Sequence, residues 1–130
     1  MPKHRKTIRT SLPPHNTVKR RWRRAIRDSV VKAANRAGVI YGSSEPLEVA
    51  VLVYLSKGKA VSTRDVDNLV KHVLDAFQGR FGSVKGKRRL IENDNLVYRL
   101  VVEKRNRPKH LTALYGGKLL IRRYQKGRWP

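Results

Sequence analysis

The chain has 130 residues, enough for one domain with a core of its own and too few for two. It carries 31 Lys and Arg against 9 Asp and Glu, a formal net charge of +22, and no cysteine. Disulfides and thiolate zinc sites are therefore excluded, and so large an excess of positive charge points to a polyanion, nucleic acid first, as partner. No apolar run reaches signal-peptide or membrane-spanning length, which reads as a soluble, cytoplasmic protein, nucleoid-associated if cellular.

From the amino terminus, residues 1–6 are basic and read as a flexible end. Residues 7–12 read as a short strand stopped by Pro13-Pro14, because proline cannot donate to a sheet ladder. Asn16 or Thr17 offers a helix cap. Over 18–37 the apolar residues Trp22, Ile26, Val30, Ala33 and Ala37 recur at three- and four-residue steps, one stripe of a helix that stops at Gly38. Its other faces carry Arg20, Arg23, Arg24, Arg27 and Lys32; a helix of that kind is a solvated face, a nucleic-acid contact or a membrane-surface helix, and the basicity of the whole chain moves weight to nucleic acid while the strands argue against the membrane.

Leu47, Val49, Val51, Val53 and Leu55 alternate with Glu48, Ala50, Leu52 and Tyr54, a strand apolar on nearly both faces and hence central. A polar, basic loop over 56–64 leads into a second helix over 66–78, whose apolar set is Leu69, Val70, Val73, Leu74 and Phe77 and whose stop is Gly79. Residues 79–89 read as a basic, substrate-facing loop, 96–103 as a strand, and 104–109 as another basic loop. Residues 111–114 and 118–124 read as a terminal hairpin across Tyr115-Gly116-Gly117. Trp22, Tyr54, Phe77 and Tyr98 are expected in the core, His72 on an exposed helix face, and Phe81 where it stacks on an unpaired base or wedges into a junction. The expected architecture is α+β, a small mixed sheet with two main helices packed on it, in one domain over 1–130 whose ends, about 1–6 and 125–130, are basic and flexible.

Charge is sorted along the chain. Residues 1–36 hold twelve Lys and Arg and one acid, residues 104–130 hold nine and none, and six of the nine acids fall between 65 and 103. Asp65, Asp67 and Asp75 lie within eleven residues, and Asp94 follows just before a strand. If the second helix starts near the start of that strand, Asp65, Asp67 and Asp94 converge. Hard divalent cations such as Mg²⁺ are held by two or three carboxylates together with substrate phosphate. Lys71, one turn beyond Asp67, is then placed to neutralise charge on the phosphate. The same spacing also fits a capping Asp65 and ordinary pairs four apart among Asp67, Lys71 and Asp75, each contributing about 0.2–0.5 kcal/mol. His4, His15, His72 and His110 show no metal-ligand spacing.

Asp65-x-Asp67-Asn68-x-x-Lys71-x-x-x-Asp75-Ala76-Phe77, a glycine-containing loop, and then Asn93-Asp94-x-x-Val97 with a strand ending at Glu103-Lys104 resemble the RusA family of Holliday junction resolvases. Leu12-Pro13-Pro14-x-Asn16 is similar to that family's early Pro-Pro-x-Asn segment. The resemblance implies a RusA-like fold and a homodimeric, Mg²⁺-dependent endonuclease, with Mn²⁺ as a substitute, that binds four-way or other branched DNA and cuts two opposed strands symmetrically in recombination and repair. By position, Asp65, Asp67 and Asp94 correspond to the metal-binding acids, and Lys71, with Asp67, to the catalytic pair. The candidate DNA contacts are Arg20, Arg23, Arg24, Arg27, Arg64, Lys85, Lys87, Arg88 and Arg89. Asn93 stands where the family usually has a first aspartate, leaving Asp94 as the ligand and Glu92 as its substitute, and the 79–91 loop is longer and more basic than usual. The other function class that fits the charge is a non-enzymatic basic nucleic-acid-binding protein, chromatin-like or ribosomal, which would give no response to Mg²⁺ beyond screening.

Overall fold

A computed structural model describes residues 7–14, 19–39, 41, 44–55, 66–77, 80–81, 88–89, 96–111 and 116–126, of which 19, 66–68, 70, 77, 80–81 and 88–89 are described in backbone alone. Along the chain run β1 (Ile8–Leu12), α1 (Lys19–Ala37), β2 (Leu47–Leu55), α2 (Val66–Phe77), β3 (Arg80–Phe81), β4 (Arg88–Arg89), β5 (Val97–Asn106) and β6 (Gly117–Arg123). Four strands form one sheet in the order β1-β6-β2-β5, with β6 antiparallel to both neighbours and β2 parallel to β5. The fold is the α+β arrangement of a mixed sheet and two helices.

The alternation in β2 is resolved by the two sides of the sheet. Leu47, Val49, Val51, Val53 and Leu55 join Ile8, Leu12, Leu119 and Ile121 in one cluster with Trp22, Ile26 and Val30 of α1 and Leu69, Val73 and Ala76 of α2, so both helices lie on the same side. Of the stripe expected for α1, Trp22, Ile26, Val30 and Ala33 are buried, while Ala37 at the helix end is exposed and Ala34 is buried in addition. Gly38, at φ 67°, ends that helix: its N–H donates to Asn35 O at 3.2 Å and the Val39 N–H to Ala34 O at 3.0 Å, satisfying two carbonyls the helix leaves over. Tyr41 ties the following link to the sheet by donating its hydroxyl to Ile121 O at 3.1 Å. Burial first, and the Glu45 carboxylate second, push that hydroxyl well above its ordinary pKa.

Four expectations change. The terminal segment does not pair as a local hairpin, because both edges of β6 are taken by β1 and β2; residues 112–114 of the expected partner strand lie outside the described ones. Its two glycines serve close packing instead: a Cβ on Gly116 would strike the Pro13 carbonyl, and one on Gly117, at φ 139°, the Leu52 carbonyl. The strand expected at 96–103 runs on to Asn106, so the first half of the 104–109 loop is absorbed by pairing with β2. The 79–89 loop carries a two-stranded antiparallel ribbon, β3 against β4. Tyr98 is 62% exposed rather than core, since β5 is an edge strand and the register slips by one residue beside Leu47 and Glu48. Trp22 and Tyr54 are buried as expected, and the Phe77 side chain lies outside the described residues.

Candidate active site

Helix α2 forms because Leu69, Val73 and Ala76 give it one apolar edge to bury, and the acids and Lys71 fall elsewhere on its circumference. Lys71 is exposed; His72 and Asp75 are half-buried. His72 departs from the exposed position expected of it: its ring meets Trp22 edge-on, centroids 6.3 Å apart. Asp75 is engaged across the helix interface, where Arg23 Nη1 stands 3.4 Å from its Oδ2. One residue on, Arg27 Nε donates to the Ala76 carbonyl at 3.4 Å. The last turn of α2 has no basic residue of its own, so two arginines of α1 supply the positive charge that a helix C-terminus attracts.

Arg20, Arg23, Arg24 and Arg27 together line a pocket of about 180 Å³ whose acidic wall, among the described residues, is Asp75. Arg20 and Arg24 are exposed and Arg23 and Arg27 half-buried, so the sequence reading of a basic helix face resolves into two arginines anchored on α2 and two turned to solvent. The partnership of Arg23 with Asp75 was not legible in the sequence, where Lys71, four residues away, is the nearer candidate.

The direction of α2 decides what the framework brings together. Trp22, in the second turn of α1, donates its indole N–H to Pro13 O at 3.1 Å, so α1 starts where β1 ends. The contacts Trp22 with His72 and Arg27 with Ala76 advance in the same sense along both helices, so α2 runs with α1 and against β1, β2 and β5. The first turn of α2, which carries Asp67, thus lies toward the end of the sheet where β2 finishes. Strand β5 begins at Val97 beside Leu47, where β2 begins. The described framework does not by itself join the helix start to the strand start. Asp65, Glu92, Asp94, Arg64, Lys85 and Lys87 lie outside the described residues, and Asp67, Phe81, Arg88 and Arg89 are described in backbone only, with Phe81 opposite Arg88 in the β3–β4 ribbon. Among the described residues no three His, Asp or Glu side chains gather into a cation site.

The donor chemistry of Asp65, Asp67 and Asp94 nonetheless suits a hard divalent ion, since all three offer carboxylate oxygens and no soft ligand competes. Another carboxylate escaped the sequence reading. Glu48, on the helix-free side of β2, is buried and paired with Arg122, whose Nη2 and Nε lie 2.6 and 3.1 Å from its Oε2. A lone acid inside an apolar strand was the available signal.

None of the described helices is long and apolar enough to cross a membrane. No curated relative matches the chain significantly. The family profile described as Endodeoxyribonuclease RusA matches residues 1–112, which takes in β1 through β5 and every acid of the candidate site. With six-sevenths of its length matched, and with the mixed sheet, the two helices and the Asp65-to-Asp94 motif in the expected order, the chain belongs to the RusA family of endodeoxyribonucleases, DNA-binding Holliday junction resolvases of recombination and repair.

Proposed function

We infer that this protein is a divalent-metal-dependent resolvase, active as a homodimer, that cuts two opposed strands of a four-way DNA junction. The observation that supports this most directly is the exposed Lys71 on α2, one turn from Asp67 in the helix and four residues from the Asp75 that engages the arginines of α1. Asp65, Asp67 and Asp94 are the residues that would hold Mg²⁺, with Mn²⁺ as a substitute. A bound ion of that kind supplies an activated water and polarises the phosphoryl oxygen.

The protein's own part is binding and charge. Lys71 places an ammonium against a non-bridging oxygen of the scissile phosphate and offsets the charge that grows there. Arg20 and Arg24 face solvent on α1 and hold backbone phosphates, with Arg23 and Arg27 behind them. Arg64, Lys85, Lys87, Arg88 and Arg89 extend the same contact, and Phe81 in the ribbon stacks on a base freed at the branch point. Membership in an endodeoxyribonuclease family favours this over a purely structural basic protein.

The test is incubation of the wild type with an end-labelled four-way junction and with a matched linear duplex, each in Mg²⁺ and in EDTA. Paired nicks at symmetric positions in the junction alone, lost in EDTA, are expected. Equal cutting of the linear duplex, or cutting that survives EDTA, contradicts the reading.

A further inference from the structure

The strand register assigns every residue of the sheet to one of two faces, and the helices cover only one. On the other, β1, β6, β2 and β5 line up in rows: Arg9, Leu120, Ala50 and Val101 in one, and Ser11, Lys118, Leu52 and Glu103 in the next. The row toward the start of β2 holds Arg122, Glu48 and Arg99, and the row beyond Leu52 holds Tyr54 and Arg105. The result is an apolar floor of Leu120, Ala50, Leu52 and Val101 surrounded by five cations. The floor is half-buried, except Val101, which is 44% exposed. A concavity of about 600 Å³ opens over it, with Arg9 and Lys118 on its wall.

The two acids of the face are each engaged by an arginine in the same sheet, Glu48 by Arg122 and Glu103 by Arg105. What is left over is positive charge around an apolar, open concavity. The cations around the floor favour an anionic occupant. A duplex arm presents phosphates to the cations and has no use for the floor, since its bases are stacked inside. A single strand offers both components at once, anionic phosphates for the rim and unstacked base faces for the floor.

We propose that the helix-free face of the sheet is a binding surface for single-stranded nucleic acid, separate from the acid-bearing end of α2. Phosphates seat on Arg9 and Lys118, and bases lie over Leu52, Ala50, Leu120 and Val101. This gives the protein a second DNA-binding surface, on the side of the sheet away from both helices, for a strand unpaired near a branch point.

The proposal is tested by fluorescence anisotropy of a labelled single-stranded oligonucleotide in EDTA, so that no strand is cut. The proteins are full-length wild type, Arg9→Ala/Lys118→Ala, Val101→Asp, and Lys32→Ala/Arg36→Ala as a control that removes two exposed charges from the helix side. Loss of two phosphate contacts should weaken binding by on the order of tenfold and lower the salt slope of log affinity by about 1.4, at about 0.7 for each contact to a single strand. Val101→Asp should weaken it comparably with most of the charge intact, and the helix-side control by less than about twofold. If the wild type cuts no junction in Mg²⁺, the resolvase reading fails and the anisotropy result still decides this one. The proposal is overturned if Arg9→Ala/Lys118→Ala binds no worse than the helix-side control. It is also overturned if both face variants bind as wild type, the outcome expected if the face takes an acidic apolar peptide instead.

Discussion

On the helix-covered face of the sheet, Leu47, Val49, Val51, Val53, Leu119 and Ile121 are all at most 4% exposed, while their sequence neighbours on the other face include Glu48, Lys118, Leu120 and Arg122. One face is closed by two helices and holds the chain together by removing apolar area from water. The other leaves Ala50, Leu52 and Leu120 half-buried and Val101 exposed, with cationic side chains around them. The contrast shows how a chain of net charge +22 folds at all: the charges that repel each other occupy surfaces on which the core does not depend.

Trp22→Ala should strain this contrast most. The side chain is fully buried and its indole N–H is engaged by Pro13 O, so its loss should cost about 3–5 kcal/mol in urea unfolding, against about 1 kcal/mol for Leu120→Ala on the open face. Equal costs would mean that the open face is as much a core as the closed one. Glu48→Gln comes next. It leaves Arg122 without its carboxylate at a site where the Glu48 side chain is 5% and the Arg122 side chain 27% exposed, and about 1–3 kcal/mol should be lost, less than for a wholly buried pair because water reaches the arginine. A neutral outcome would make the pair incidental to the sheet.

The covered face was largely legible in the sequence, because a helix stripe and a strand alternation are local patterns. Trp22 through Ala33, Leu47 through Leu55 and Leu69 through Val73 announce themselves by spacing, and the structure buries them. The insertion of β6 between β1 and β2 was not, because strand order depends on pairing across the chain, and Gly116-Gly117 reads locally as a turn when its use is close backbone approach. Tyr98 was misplaced for a related reason: nothing in 97–106 says that it is an edge strand. Of the site, the residue types and their order along the chain were readable. The tie between Asp75 and Arg23 was not, since it joins residues 52 positions apart.

Smaller effects sharpen the picture. Tyr41→Phe removes one buried hydrogen bond and should cost about 1 kcal/mol near neutral pH. Since folding raises the Tyr41 pKa, the wild type should hold its stability up to about pH 10, the ordinary value, and lose it as pH climbs toward the folded-state value, a slope absent from the Phe variant. Smallest in stability is Asp75→Asn, at most about 1 kcal/mol because both partners are more than a third exposed. The same change removes the one acid from the arginine pocket, so junction binding in EDTA should tighten; unchanged or weaker binding would mean that the pocket does not meet DNA.

The central claim is that acids at the start of α2 and before β5 make this protein a metal-dependent nuclease, and single-turnover cleavage of a labelled four-way junction by Asp67→Asn and Asp94→Asn tests it most directly. The account predicts that each variant loses Mg²⁺-dependent cutting while binding the junction as tightly as wild type or more so, since a carboxylate that repelled phosphate is gone. Undiminished cutting by both variants would contradict it.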